Sequence, residues 1–243
     1  DNVGGASYQV LRNGAAIGTT PLTAYADLTA KSNTTYTYTV KAIDTSGNLS
    51  APSNSAVPAT RLFYDGFETG NFSKWTTATG LTAQQQTVYS ESWAARAANN
   101  HAATFADRDI AAQTDLYARA QVFVSARSTG ADLLGFRLRS GTAIVTLGTS
   151  ASGNLYYRNG INASVASSAT SLGTGSWHEI RLHVKVSGAT SQVEVWLDGT
   201  PVTDLSRTDS LGTTAIDRLE LGDRSTTNSY TIVYDEVVAD NKP

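Results

Sequence analysis

Residues 175–202 read GSWHEIRLHVKVSGATSQVEVWLDGTPV, and this stretch decides the fold. Ile180, Leu182, Val184 and Val186 alternate with Glu179, Arg181, His183 and Lys185, a period of two that puts the apolar set on one side of a strand. Ser187-Gly188 breaks the run. Val193, Val195 and Leu197 then alternate with Gln192, Glu194 and Trp196 as far as Asp198-Gly199, a turn signal. Strands patterned this way pack one face on a core and leave the other in water.

The same period recurs at 116–125, 134–139, 143–147, 155–158 and 230–238, with glycine-containing turns between. Near the N-terminus, Tyr8 to Arg12 alternates up to Asn13-Gly14, and Tyr36 to Ala42 alternates up to the turn residues Asp44 to Asn48. No long stretch carries a helical period. Many short strands at this spacing predict an all-β chain of two antiparallel β-sandwiches rather than β/α units. After Ser50, two prolines and small polar residues predict a last edge strand running into a linker near residues 58–61. The expected domains are therefore 1–60 and 61–243.

The chain has 243 residues, enough for a sizeable core, and no Cys, which excludes disulfides, thiol nucleophiles and thiolate metal sites. It has no Met, so a processed product or a fragment is expected. A net charge of -3 argues against nucleic acid as a partner, and no apolar run is long enough for membrane insertion. Ser and Thr make up about a quarter of the residues, above ordinary usage.

Residues 1–57 resemble the later two-thirds of a fibronectin type III domain. The matching stretches are YQVLRNGAAIGTT (8–20) and LTAYADLTAKSNTTYTYTVKAIDTSGNLSAPSNS (22–55). Tyr36 matches the family's tyrosine corner, eight residues after Leu28. Tyr38, Val40 and Ala42 match inward positions, and Asp44, Gly47, Asn48 and Ser50 match a turn of bacterial extracellular copies. The resemblance implies two further strands ahead of Tyr8, for which seven residues leave no room. The open face is then completed by the remaining parent chain or by neighbouring copies, or the chain is simply a cut piece.

Residues 62–240 resemble a concanavalin A-like, or laminin G-like, jelly roll of bacterial secreted proteins. LFYDGFETGNFSKW (62–75), the 175–202 stretch and YTIVYDEVVAD (230–240) carry the likeness. It implies an exported chain at the cell surface or outside the cell. It also implies a structural calcium ion between first and last strands, held by Asp65, Glu68 and Asp235 with backbone carbonyls. Hydrolases of this fold carry acids at alternating strand positions. Here the nearest approach is Glu194 with Asp198, the latter in a turn. His178 and His183, five apart, do not share a strand face. Nucleophile-elbow, phosphate-loop and H-E-x-x-H patterns are absent, so a non-catalytic chain is expected.

A ligand face follows from the alternation. Trp196 stands outward among Arg181, His183 and Glu194, and Arg137 and Arg139 are out of phase with Phe136 and Leu138. An exposed indole covers the C–H face of a pyranose while polar neighbours bind hydroxyls. Trp75 and Trp177 are expected in the core. Three roles fit: an adhesion or assembly module that binds a polysaccharide or glycoconjugate, a filament subunit, and an accessory carbohydrate-binding segment of a larger polysaccharide-degrading enzyme.

Overall fold

The computed structural model describes residues 7–25, 27, 29–30, 34–57 and 61–241. The chain divides into two compact units, Asp1–Arg61 and Leu62–Pro243. Leu28 and the linker residues Pro58 to Thr60 lie outside the described residues.

The first unit holds β1 (Ser7–Arg12), β2 (Ala15–Thr20) and β3 (Tyr38–Ile43) in the order β2-β1-β3. Asn13 and Gly14 turn the β1–β2 hairpin with φ of 51° and 82°, the left-handed pair that a tight hairpin demands. Residues 50–56, expected as an edge strand, instead follow β3 irregularly. Ser50, Ser53 and Ala56 donate backbone bonds to Ala42, Val40 and Tyr38 at 2.8–2.9 Å. The Ser53 and Ser50 hydroxyls accept from the amides of Val40 and Ala42 at 3.0 and 2.9 Å. Side-chain oxygens thus fill ladder positions in a stretch interrupted by a proline. Tyr8, Val10, Leu22, Tyr25, Tyr38 and Val40 line an open cavity of about 910 Å³. Asp27 ties its margin together, accepting from Arg12 at 2.9 Å and from the Tyr38 hydroxyl at 2.8 Å.

The second unit is a sandwich of two antiparallel sheets. Its strands begin with β4 (Arg61–Asp65), β5 (Thr77–Thr79), β6 (Leu81–Gln84), β7 (Ala94–Asn100) and β8 (Thr104–Gln113). They continue with β9 (Asp115–Arg127), β10 (Ala131–Arg137), β11 (Ala143–Thr149), β12 (Asn154–Asn159) and β13 (Val165–Ser171). The last are β14 (Trp177–Lys185), β15 (Ser191–Leu197), β16 (Thr200–Pro201), β17 (Arg207–Asp209), β18 (Ile216–Asp223) and β19 (Ser229–Asp240). One sheet has seven strands in the order β13-β12-β11-β10-β18-β8-β5. The other has nine, with β16-β15-β14-β9-β19-β7-β6 as its main path, β17 beside β15 and β4 beside β19. Among the described residues no helix is long and apolar enough to cross a membrane.

The core lies where the apolar faces meet. Leu116, Ala118, Ala120, Val122 and Val124 of β9 are buried, as are Ile180, Leu182 and Val184 of β14 and Leu219 and Leu221 of β18. Trp75 joins them as expected, stacked parallel to Phe67 and edge-on to Phe63. A bulge in β19 shifts its register against β9 between Asp235 and Val238, with Glu236 at φ 49°.

Tyr234 is fully buried in this core and its hydroxyl meets no partner. Burial also drives its phenol well above the ordinary range. An unpaired buried hydroxyl costs about 1–3 kcal/mol of desolvation. Tyr234→Phe is therefore expected to raise stability by about 1 kcal/mol and the melting temperature by a few degrees. A variant that melts below the parent chain would refute this.

Candidate functional site

The outward face of the nine-stranded sheet carries four of the residues expected to bind ligand. Arg181 on β14 lies opposite Trp196 on β15 and opposite Arg119 on β9. The three form a row across adjacent strands, roughly 10 Å long at about 4.8 Å per step. Glu179 bridges the two guanidiniums, accepting from Arg181 at 3.1 Å and Arg119 at 3.4 Å. One carboxylate facing two guanidiniums leaves a surplus of positive charge and of N–H donors. The Arg181 Nε is buried and meets no partner, so the donors open to a ligand are the terminal nitrogens. Trp196 is half-buried, with Pro201 opposite it on the other side.

His183 and Glu194 lie one step along this face and do different work. His183 is 5% exposed, stacked on the Tyr117 ring at 3.8 Å and 4°. Its Nδ1 meets Glu194 at 2.6 Å and its Nε2 meets Asp115 at 2.8 Å. Both polar edges of the ring are occupied, so His183 supports the face rather than offering a ligand contact. Trp177 corrects the expectation of a core residue. It shares the outward parity of Glu179 and Arg181 and packs, half-buried, against Tyr89 and Phe123, each at 5.5 Å between ring centres.

Arg137 and Arg139 do not join Trp196. Arg137 ends β10, in the seven-stranded sheet, and Arg139 follows it. There Glu220 of β18 lies opposite Asp107 of β8, and both are buried. Arg224 spans the two, bonding Asp107 at 2.6 and 2.7 Å and touching Glu220, while its guanidinium lies 3.8 Å over the Phe105 ring. Arg137 donates to Glu220 at 3.2 Å, and Arg218 to Asp109 at 2.7 Å. Arg139 reaches Asp109 at 3.6 Å and Asp217 at 3.8 Å. Burial pushes the Glu220 carboxyl up, opposed by Arg137 and Arg224. Nearby, Tyr156 and Arg158 both contact Asp132, whose carboxyl burial also pushes up. The charges of this face are spent on one another. Asp107, Arg218 and Glu220 are legible in the sequence only as the alternations Asp107-Arg108-Asp109 and Arg218-Leu219-Glu220, and Arg224 lies outside both.

The three acids expected to hold calcium serve as separate clasps. Asp65 is fully buried. Its Oδ1 accepts from the Phe67 amide at 2.9 Å and lies 3.2 Å from the Lys74 ammonium, and its Oδ2 accepts from the Trp75 indole at 2.8 Å. Glu68 accepts from the amides of Ser92 and Trp93. Asp235 accepts from the amides of Tyr89, Ser90 and Glu236. These surroundings are N–H donors and a cation, the opposite of the oxygen cage that calcium needs. Among the described residues no group of three or more metal-binding side chains gathers. The donor set does not fit the ion.

Asp235 gives the sandwich a pH dependence. Burial pushes its carboxyl up to about 6, against the amides of Ser90, Glu236 and Tyr89. An unfolded Asp titrates near ~4, so between these values the folded chain holds the extra proton. The stability this gives is fully present below ~4 and is lost as pH rises through about 6. The melting temperature of Asp235→Asn relative to the parent chain is expected to climb by a few degrees from pH 4.5 to 7.5. A flat difference would sink the assignment.

No family model matches the chain, and the fibronectin type III reading of residues 1–57 stays a resemblance. A segment covering 33% of the chain is 39% identical, over 94 residues, to an α-amylase of Niallia circulans, of which it spans 7%. Another, 23% of the chain, is 47% identical over 55 residues to chitinase Chi52 of Paenibacillus xylanexedens, of which it spans 10%. The chain thus matches only a small part of each relative's length.

Among solved structures, an endo-β-1,4-glucuronan lyase from the fungus Trichoderma reesei is similar with a TM-score of 0.56 and 14% identity, covering 75% of this chain and 96% of that one. The cellulose-induced protein Cip1 reaches 0.61 at 14% identity, over 74% and 97%. An alginate lyase from Aplysia kurodai reaches 0.50 at 11%, over 74% and 99%. At these identities the likeness is one of fold, a β-sandwich jelly roll of carbohydrate-active proteins. It overturns the expectation that the chain is no enzyme. That expectation took missing hydrolase, nucleophile-elbow, phosphate-loop and H-E-x-x-H patterns as decisive, yet two of these three neighbours are lyases on the same sandwich.

Proposed function

We propose that the chain is the carbohydrate-engaging part of an extracellular bacterial carbohydrate-active protein, and that the jelly roll of residues 62–241 holds a polysaccharide along the Trp196–Arg181–Arg119 row. The observation that carries this reading is the half-buried indole beside two guanidiniums that share one carboxylate. The indole face covers the apolar side of a sugar ring. The surplus N–H donors meet hydroxyls or the carboxylate of an acidic sugar. The α-amylase and chitinase segments and the lyase folds support a carbohydrate ligand. Affinity electrophoresis of the full chain through gels containing starch, glucuronan or alginate, and pull-down on chitin, test it. Retention on at least one of them, lost in Trp196→Ala, is the expected result. No retention on any, or equal retention of the variant, overturns it.

A further inference from the structure

Beside that row, at the strand ends of the sandwich, three side chains stand in relay. Ser176 lies in the turn before β14, His178 is the second residue of β14, and Asp198 lies in the turn between β15 and β16. The Ser176 Oγ is 2.9 Å from the His178 Nε2, and the His178 Nδ1 is 2.7 Å from the Asp198 Oδ2. The other oxygen of Asp198 accepts the Glu179 amide at 2.8 Å, so the carboxylate is anchored from the backbone. That carboxylate fixes the tautomer: Nδ1 carries the proton and Nε2 is left to accept from the serine hydroxyl. Nucleophile, base and orienting acid are thus linked at hydrogen-bond distances.

The surroundings leave room for a reacting group. Ser176 is exposed and His178 half-buried. Gly173 covers the pair: a β-carbon there would sit 3.4 Å from the His178 Nε2 and 3.8 Å from the Ser176 Oγ. With no side chain at residue 173, that β-carbon position beside both groups is empty. The Gly173 φ is outside the left-handed region, so a larger residue fits the backbone.

We propose that Ser176, His178 and Asp198 form a hydrolytic site for small acyl esters, with Ser176 as nucleophile, His178 as general base and Asp198 as a positioning residue. The Ser176 Oγ bonds to the acyl carbon as its proton passes to the His178 Nε2. The carbon–oxygen bond to the alcohol breaks, and the alcohol leaves with that proton. Water then gives a proton to Nε2 and its hydroxyl attacks the acyl carbon. The carboxylic acid departs, and Oγ leaves with the proton returned from Nε2. The site is open, so water solvates the oxyanion and turnover is slow.

The test is labelling of the full chain with a fluorophosphonate, mapped by peptide mass, together with hydrolysis of p-nitrophenyl acetate. The expected label is on Ser176. His178→Gln is expected to slow labelling on the order of a hundredfold. Gly173→Leu is expected to block it while all three groups remain. Asp198→Asn keeps an oxygen for the Glu179 amide and is expected to lower kcat with KM within twofold. Absence of label on Ser176, or labelling that His178→Gln leaves unchanged, overturns the proposal. Circular dichroism of each variant separates loss of reactivity from loss of fold.

Discussion

Asp65→Ala is expected to remove about 3–5 kcal/mol from the stability of the jelly roll. The carboxylate is fully buried and receives the Phe67 amide, the Trp75 indole and the Lys74 ammonium. Truncation strands the first two donors in a region that the methyl group cannot hydrate, and each stranded donor costs about 1–3 kcal/mol. The ammonium adds little, because Lys74 is part-exposed and recovers water. Phe67 compounds the loss. It holds a left-handed φ of 60° while fully buried, and the Asp65–Phe67 bond is part of what keeps it there. Asp65→Asn keeps one acceptor oxygen and should lose about half as much. All four tryptophans lie in the second unit, so tryptophan fluorescence in urea reports that unit alone. A loss below 1 kcal/mol for Asp65→Ala would show that the clasp is dispensable.

Trp196→Ala is expected to weaken polysaccharide binding by about 10- to 100-fold, from roughly 1.5–3 kcal/mol of aromatic contact. Its effect on stability should stay within about 1 kcal/mol, because the half-buried ring stands on the outward face of β15 rather than in the core. Trp196→Phe keeps a smaller ring and should fall between. Arg119→Ala removes one of the two guanidiniums on Glu179 and should weaken an acidic polysaccharide more than a neutral one, with salt dependence reduced. Isothermal titration with an oligosaccharide of the retaining polymer measures all three. Equal weakening of acidic and neutral ligands by Arg119→Ala would take the guanidinium surplus out of the recognition.

The alternation in residues 175–202 placed the side chains of β14 and β15 on their correct faces, with Ile180, Leu182, Val184, Val193 and Val195 all buried. Parity says which side of a strand a residue takes, not which strand lies beside it. His183 is outward by parity, yet Tyr117 and Asp115, more than sixty residues earlier, stack on it and close its ring edge. Arg137 is outward as well, but on the other sheet, a fact that only the strand order supplies. Asp65 and Asp235 were legible as acids on strands at either end of the sandwich. Their partners were not: an indole ten residues on, and amides about 145 residues back. The Ser176–His178–Asp198 relay had one visible sign, a Ser-x-His ahead of an Asp-Gly turn. Its significance depended on β14 and β15 being neighbours.

The serines that follow β3 decide where the small sheet of the first unit can grow. With Ser50 and Ser53 holding the Val40 and Ala42 amides, that margin is capped and cannot template an incoming chain. The opposite margin, β2, reads Ala-Ala-Ile-Gly-Thr-Thr, has no charged residue to repel a newcomer, and among the described residues pairs only with β1. A strand arriving at the β3 side would have to displace these serines, whereas one arriving at β2 would have to displace the Tyr25 hydroxyl, which donates to the Ile17 carbonyl at 2.9 Å.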